Sequence, residues 1–197
     1  DIKIEKLDEN VNSQYDETRP LISPDGRTIY FSRKNHPENI GGEKDENDIW
    51  YSEFDRDTDK WEKAKNLGEP LNTKGPNYIS SVTPDGNTMV VLLGNEYSKK
   101  GKMHPGVSIS SKKGQTWNNP IPLEIINSYI ENTDGHYFLA NNRKTLIMSV
   151  EREDSYGDRD LYVSFMQEDS VWSEPLNLGD IINTASEESA PFLAMDD

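Results

Sequence analysis

The sequence predicts an all-β chain, a β-propeller built from four-stranded blades, with about three complete blades and the edge strands of two more. Three observations carry this. Trp61, Trp117 and Trp172 recur at spacings of 56 and 55 residues, each followed three positions later by Ala64, Pro120 or Pro175. Asparagine–hydroxyl pairs at Asn12-Ser13, Asn72-Thr73, Asn127-Ser128 and Asn183-Thr184 recur at 60, 55 and 56. Within each period, four short runs rich in β-branched and aromatic residues are bounded by Gly, Pro, Asn and Asp, with no amphipathic helix of useful length. Two independent markers thus share one period, as in a repeat architecture with four strands per unit.

Each element follows in order. The first strand is the segment around Pro20-Leu21-Ile22-Ser23. Pro24-Asp25-Gly26 then makes a tight turn, because proline presets φ and glycine accepts a positive one. The same turn recurs as Pro84-Asp85-Gly86, in a worn copy at Ala140-Asn141-Asn142-Arg143-Lys144-Thr145, and at the start of a fourth copy, Ala194-Met195-Asp196-Asp197. The second strand, residues 28–32, is matched by 88–93 and 145–150. After a polar loop comes the third strand, 48–52, matched by 107–110 and 160–165; Asp48 and Asp160 share the position that opens it. An acidic turn leads to a fourth strand that opens on the repeat tryptophan. The word Asn66-Leu67-Gly68-Glu69-Pro70-Leu71-Asn72-Thr73 returns as Asn177-Leu178-Gly179-Asp180-Ile181-Ile182-Asn183-Thr184.

A single sheet cannot bury both of its faces, so neighbouring units must stack. Tyr30, Phe31, Trp50, Tyr51, Trp61, Trp117, Tyr162 and Trp172 are the natural filling between them. The blades are expected at 12–71, 72–126 and 127–182 of a single domain spanning 1–197, with 1–11 and 183–197 belonging to neighbouring blades. A closed ring takes about four to eight blades. The chain therefore reads as part of a longer array, or as one half of a homodimer that completes a ring of about six.

A formal net charge of −15 repels phosphates and anionic lipid headgroups, which excludes nucleic acid as a partner. No apolar run approaches the ~18 residues of a membrane-spanning helix. The absence of cysteine removes disulfides, zinc–thiolate sites and thiol nucleophiles.

The words Ser-Pro-Asp-Gly-Arg-Thr-Ile-Tyr-Phe-Ser at 23–32, Asp-Ile-Trp-Tyr-Ser at 48–52, and Trp-Ser-Glu-Pro-Leu-Asn-Leu-Gly-Asp at 172–180 resemble the TolB-type, WD-like β-propeller repeat. The Trp-x-x-Pro-x-Asn-Leu-Gly variant is similar to repeats of Bacteroidota envelope proteins that precede an OmpA-like, peptidoglycan-binding domain. The resemblance implies a periplasmic or outer-membrane-associated module that docks a protein or a peptidoglycan-linked partner. Its likeness extends to the fold and says little about activity. The second unit departs from it, with Gly106-Val107-Ser108 in place of Asp-Ile-Trp.

The expected function is thus a non-catalytic binding or scaffold module. The alternative is a sialidase or glycoside-hydrolase-like, or peptidase-associated, propeller. Ser110 to Trp117 resembles the Asp-box of sialidase propellers, with Lys112 in the aspartate place. Sialidases also use an arginine cluster and a tyrosine nucleophile. Of Arg19, Arg27, Arg33, Arg56, Arg143, Arg152 and Arg159, no repeat phase gathers three at one rim. His36, His104 and His136 fall at different phases. No serine-hydrolase elbow, phosphate loop or paired-histidine zinc motif is present. No cofactor or metal is expected: the acidic loops at 43–48, 55–59 and 154–160 read as turns with calcium the alternative, and 55–59 alternates carboxylates as a calcium loop does but lacks its glycine and bidentate glutamate.

In propellers the first strand lines the central channel. Glu17, Arg19, Asn77, Tyr78, His136 and Glu188 sit at or just before that strand in successive units. Their mix of polar and aromatic groups suits a recognition rim. The alternative for Glu17 and Glu188 is a hydrogen-bonding role between units.

Overall fold

A computed structural model describes residues 4–97, 103–131 and 134–193. It is all-β. The first sheet runs in the order β1 (Glu17–Ile22), β2 (Thr28–Arg33), β3 (Asp48–Asp55), β4 (Lys60–Trp61), with β5 (Lys65–Asn66) also on β3. The second sheet comprises β6 (Tyr78–Val82), β7 (Thr88–Tyr97), β8 (Met103–Lys113), β9 (Thr116–Trp117) and β10 (Ile121–Pro122). The third comprises β11 (His136–Leu139), β12 (Thr145–Val150), β13 (Asp160–Phe165) and β14 (Leu176–Asn177). All their pairings are antiparallel, and none of the sheets closes.

The repeat words act as local clamps. Asp25 Oδ1 accepts from Ser23 Oγ at 2.6 Å and from Arg27 N–H at 3.0 Å, and Asp85 repeats this with Thr83 and Asn87. Those bonds hold both carboxyls below their usual range. Gly26 and Gly86 take positive φ after them. The worn third copy keeps the turn: Asn142 supplies the acceptor, and Arg143 adopts the positive φ at 55°. The Asn-Leu-Gly word closes the outer edge of the first and third sheets. Asn72, fully buried, accepts from Ile49 N–H and donates to Ile49 C=O, as a strand neighbour would; Asn183 does the same to Leu161.

Two details differ from the sequence expectation. The fourth strand is interrupted: β4 and β5 both pair with β3, and between them Ala64 N–H bonds Asn10 C=O instead, at 2.8 Å. The repeat-equivalent Pro120 and Pro175 have no N–H to offer, and Trp172 makes only isolated bridges. In the second sheet, the third strand begins at Met103 rather than 107, because β7 and β8 continue outward as one long hairpin. Asp48 and Asp160 anchor folded loops at that place in the other sheets, and the second sheet lacks this aspartate.

The sheets stack through three clusters. Val11, Ile29, Phe31, Trp50 and Ala64 hold the chain start against the first sheet. Tyr30, Ile49, Leu71, Ile79, Met89 and Val91 join the first and second. Val90, Leu92, Leu139, Met148, Tyr162 and Trp172 join the second and third. Alternation along β7 therefore serves both neighbours, with Met89 and Val91 facing one way and Val90 and Leu92 the other. Buried Arg33 reaches Val11 C=O and stacks over Trp50, while Arg152 reaches Asn127 C=O and stacks over Tyr129. The fourth turn word, 194–197, lies outside the described residues.

Candidate functional site

The first strands of the three sheets face one another with the segment 190–193, and enclose a cavity of about 660 Å³. Their spacing is set by side chains. Ser80 Oγ donates to Tyr137 C=O and accepts from its N–H, and Ser81 Oγ accepts from Leu139 N–H. Serine is short enough to let β6 and β11 approach and polar enough to serve strand groups that have no ladder partner on that side. Bulges in β1 between Thr18 and Leu21, and in β6 between Ile79 and Ser81, bend both strands around the space.

The walls are apolar: Leu21, Ile22, Val82, Phe138, Pro191 and Phe192 line them. Ile22 is 49% exposed and Phe192 74%, so these walls are open to a ligand. Phe138 and Phe192 meet edge to face at 5.2 Å.

One mouth is polar. Arg19 stands over the Tyr78 ring at 4.4 Å, 3.6 Å from Asp134, and donates to Gly135 C=O. Its φ of 53° is left-handed, and Ala190, at the equivalent place after Glu188, has a φ of 52°, so this bend belongs to the repeat and not to the arginine. Arg159 reaches the same Asp134 and pairs with Glu187. His136 accepts the Ala190 N–H at Nδ1. Burial, then the charges of Arg19 and Arg159, lower the His136 pKa and favour neutral imidazole. Burial also raises the Tyr78 phenol, whose hydroxyl accepts from Asn47.

The rim residues read from the sequence divide into two sets. Arg19 and His136 line the cavity, and Tyr78 stacks beneath Arg19. Glu17, Asn77 and Glu188 instead accept from Ser13, Thr73 and Thr184, the second residues of the repeated asparagine pairs. Glu17 and Asn77 tie the loops entering β1 and β6, and Glu188 ties the loop before the segment 190–193. Arg159 and Asp134 were not legible as site residues, because they reach the mouth from different loops with no shared repeat phase. The other arginines lie apart: Arg33 and Arg152 are buried between sheets, and Arg143 pairs with Asp85 at the turn.

Of the repeat aromatics, Trp50, Tyr162 and Trp172 are fully buried, whereas Trp61 and Trp117 are half-buried. Pro24 and Pro84 edge the cavity at its other end. Asp48 accepts from Ile40 N–H and Asn66, and Asp160 from Tyr156 N–H, Gly157 N–H and Asn177, so each fastens its loop to the outer strand. Asp55 caps its own hairpin through Thr58 and Asp57. His36 packs between Tyr15 and Trp50. No helix among the described residues is long and apolar enough to cross a membrane.

No protein-family model matches this chain, and no curated protein matches it in sequence. Among solved structures it is similar to a puromycin hydrolase mutant complexed with PGG, at 14% identity and a TM-score of 0.41, over 75% of this chain and 20% of that one. It is also similar to a hypothetical selenium-binding protein from Sulfolobus tokodaii, at 14% identity and a TM-score of 0.42, over 87% and 40%. The chain thus spans well under two thirds of either structure's length.

Proposed function

We propose that this chain is a non-catalytic binding module, three adjacent blades of a β-propeller, that accepts an apolar segment of a protein partner between its inner strands. The observation that carries this is the cavity itself. It has open apolar walls and a polar mouth with an arginine at the entrance. An extended peptide suits such a site: apolar side chains occupy the walls while Arg19, Tyr78 and His136 orient its polar groups at the mouth. The TolB-type resemblance favours a protein or peptidoglycan-linked partner in a bacterial envelope.

The propeller reading rests on repeat equivalence. Ile49, Tyr51, Leu67 and Leu71 of the first sheet pack against the second. Leu161, Val163, Leu178 and Ile182 hold the same places on the third sheet, and Ile182 is 49% exposed. A further blade, from a longer polypeptide or a second copy, would cover them.

The test is selection of peptides from a random library on the immobilised chain, followed by calorimetry. Enriched apolar peptides should lose at least about tenfold in affinity with Ile22→Glu or Arg19→Ala, the size of one lost anchor. No enrichment, or equal affinity for both variants, overturns the proposal. Turnover of a fluorogenic glycoside or aminoacyl substrate, abolished by Arg19→Ala, overturns its non-catalytic part.

A further inference from the structure

The loop between β2 and β3 holds two buried carboxylates with no countercharge. Asp45 is 5% exposed and Asp48 fully buried. Each spends one oxygen on a loop amide: Asp48 Oδ2 accepts from Ile40 N–H at 2.8 Å, and Asp45 Oδ2 from Gly41 N–H at 3.0 Å. These two amides are adjacent in the chain, so both carboxyl groups are drawn to one turn. The other oxygen of each, Oδ1, is buried and receives no hydrogen bond of full geometry, although the Asn47 N–H lies beside the Asp45 carboxyl. No ion pair joins either residue among the described residues.

Two uncompensated carboxylates in one buried loop are expensive, at several kcal/mol per ion. The third sheet shows the same place when its groups are satisfied. There Asp160 Oδ1 accepts from Gly157 N–H, Gly157 itself stands where the first sheet has Asp45, and the exposed Asp154 accepts from the Tyr162 hydroxyl at 3.0 Å. The first sheet has Trp50 where the third has Tyr162, and the indole N–H goes to Asn39 at 3.0 Å instead. The orphaned oxygens are therefore particular to the first sheet and not a general feature of the repeat.

We propose that Asp45 and Asp48 form a calcium site that fastens the 39–48 loop. Two carboxylates neutralise one divalent ion, and each presents one free hard oxygen. Calcium accepts flexible, all-oxygen coordination, which loop carbonyls and water would complete. Magnesium requires a near-ideal octahedron, which a pair of carboxylates already bound to amides is poorly placed to provide. Among the described residues no three His, Cys, Asp or Glu side chains converge as ligands, so backbone oxygens must supply the remainder. The loop also supports the binding mouth: Asn47 Nδ2 donates to Tyr78 Oη at 2.8 Å, and Asn77 N–H to Asn47 C=O at 2.7 Å. Ion binding would thereby stiffen the residue on which Arg19 rests.

The experiment uses the calcium-stripped chain and two probes, terbium and calcium chloride. Trp50 lies against the loop through Asn39, so bound terbium should show tryptophan-sensitised luminescence that calcium displaces. Calcium at about a hundredfold excess over its dissociation constant should raise the melting temperature by about 5 °C or more. Asp45→Asn should abolish both responses, and Asp57→Asn, in an exposed turn, should leave them intact. Asp45→Asn is the primary variant because Asp48 also holds the outer strand through Asn66. Absence of both signals, their survival in Asp45→Asn, or an equal loss in Asp57→Asn overturns the site. So does stabilisation by mild acid but not by calcium, which would mean that a proton satisfies the pair.

Discussion

Asn72→Ala tests whether the repeated asparagine is a structural clamp. The side chain is fully buried and makes three bonds: from Ile49 N–H at 2.8 Å, to Ile49 C=O at 2.9 Å, and to Asn66 Oδ1 at 2.8 Å. Truncation leaves the two acceptors with a partner each, since Leu67 N–H also reaches Ile49 C=O and Gly68 N–H also reaches Asn66 Oδ1. Ile49 N–H is left with none. One orphaned buried donor costs about 1–3 kcal/mol, and the two lost donations add about 0.5–1.5 kcal/mol each. The expected loss is about 2–6 kcal/mol, read by urea unfolding with tryptophan fluorescence. Asn72→Asp is the companion. Its carboxylate can accept from Ile49 N–H but faces Ile49 C=O and Asn66 Oδ1 with no proton to give. Burial among acceptors raises its folded pKa above the unfolded value of about 3.9. The folded state then binds the proton more tightly, so the deficit against wild type is full near neutrality and shrinks as pH falls through the folded pKa. An Asn72→Ala variant within about 0.5 kcal/mol of wild type, the ordinary scatter for neutral surface changes, would refute the clamp. An Asn72→Asp deficit that ignores pH would refute the proton argument.

Other outcomes follow from the same geometry. Trp172→Ala should cost about 3–5 kcal/mol as a fully buried core truncation, and Trp61→Ala clearly less, despite their shared repeat position; thermal unfolding compares them. Gly86→Ala should cost about 1–2 kcal/mol because φ is 67° there, with no neighbouring atom to blame. Burial pushes the phenols of Tyr30 and Tyr162 up to about 12. Their contribution to stability is complete below the unfolded value of about 10 and lost as pH rises from there through the folded values. Spectrophotometric titration should show Tyr30 and Tyr162 among the late-ionising tyrosines, each removed by its Phe variant. His136 should titrate below the usual imidazole value in an NMR experiment, and its stabilising effect should fade as pH drops through the unfolded pKa of about 6.5. An upward-shifted His136 would mean that Asp134 outweighs burial and the two arginines.

The repeat was legible because its words answer local needs. A Pro-Asp-Gly turn, an asparagine that imitates a strand neighbour and an aspartate that pins a loop each act within about twenty-five residues of themselves, so each leaves a fixed spacing in the chain. The all-β class and the order of strands within each sheet followed from those spacings. The place of the indole core did not. Trp61, Trp117 and Trp172 are equivalent in sequence, yet only Trp172 is fully buried, because burial depends on which neighbouring sheet covers the position. Phase alone grouped Glu17, Asn77 and Glu188 with the rim, but their side chains accept from hydroxyl residues four positions back. The mouth of the cavity was decided in three dimensions. Arg19 and Asp134 each follow a repeated asparagine by seven residues but in different units, Arg159 precedes a third strand, and only the stacking of the sheets brings two guanidinium groups to one carboxylate. Sequence determined what each unit could do for itself; tertiary structure decided which faces met and what was left open between them, because burial and charge pairing depend on distance in space rather than along the chain.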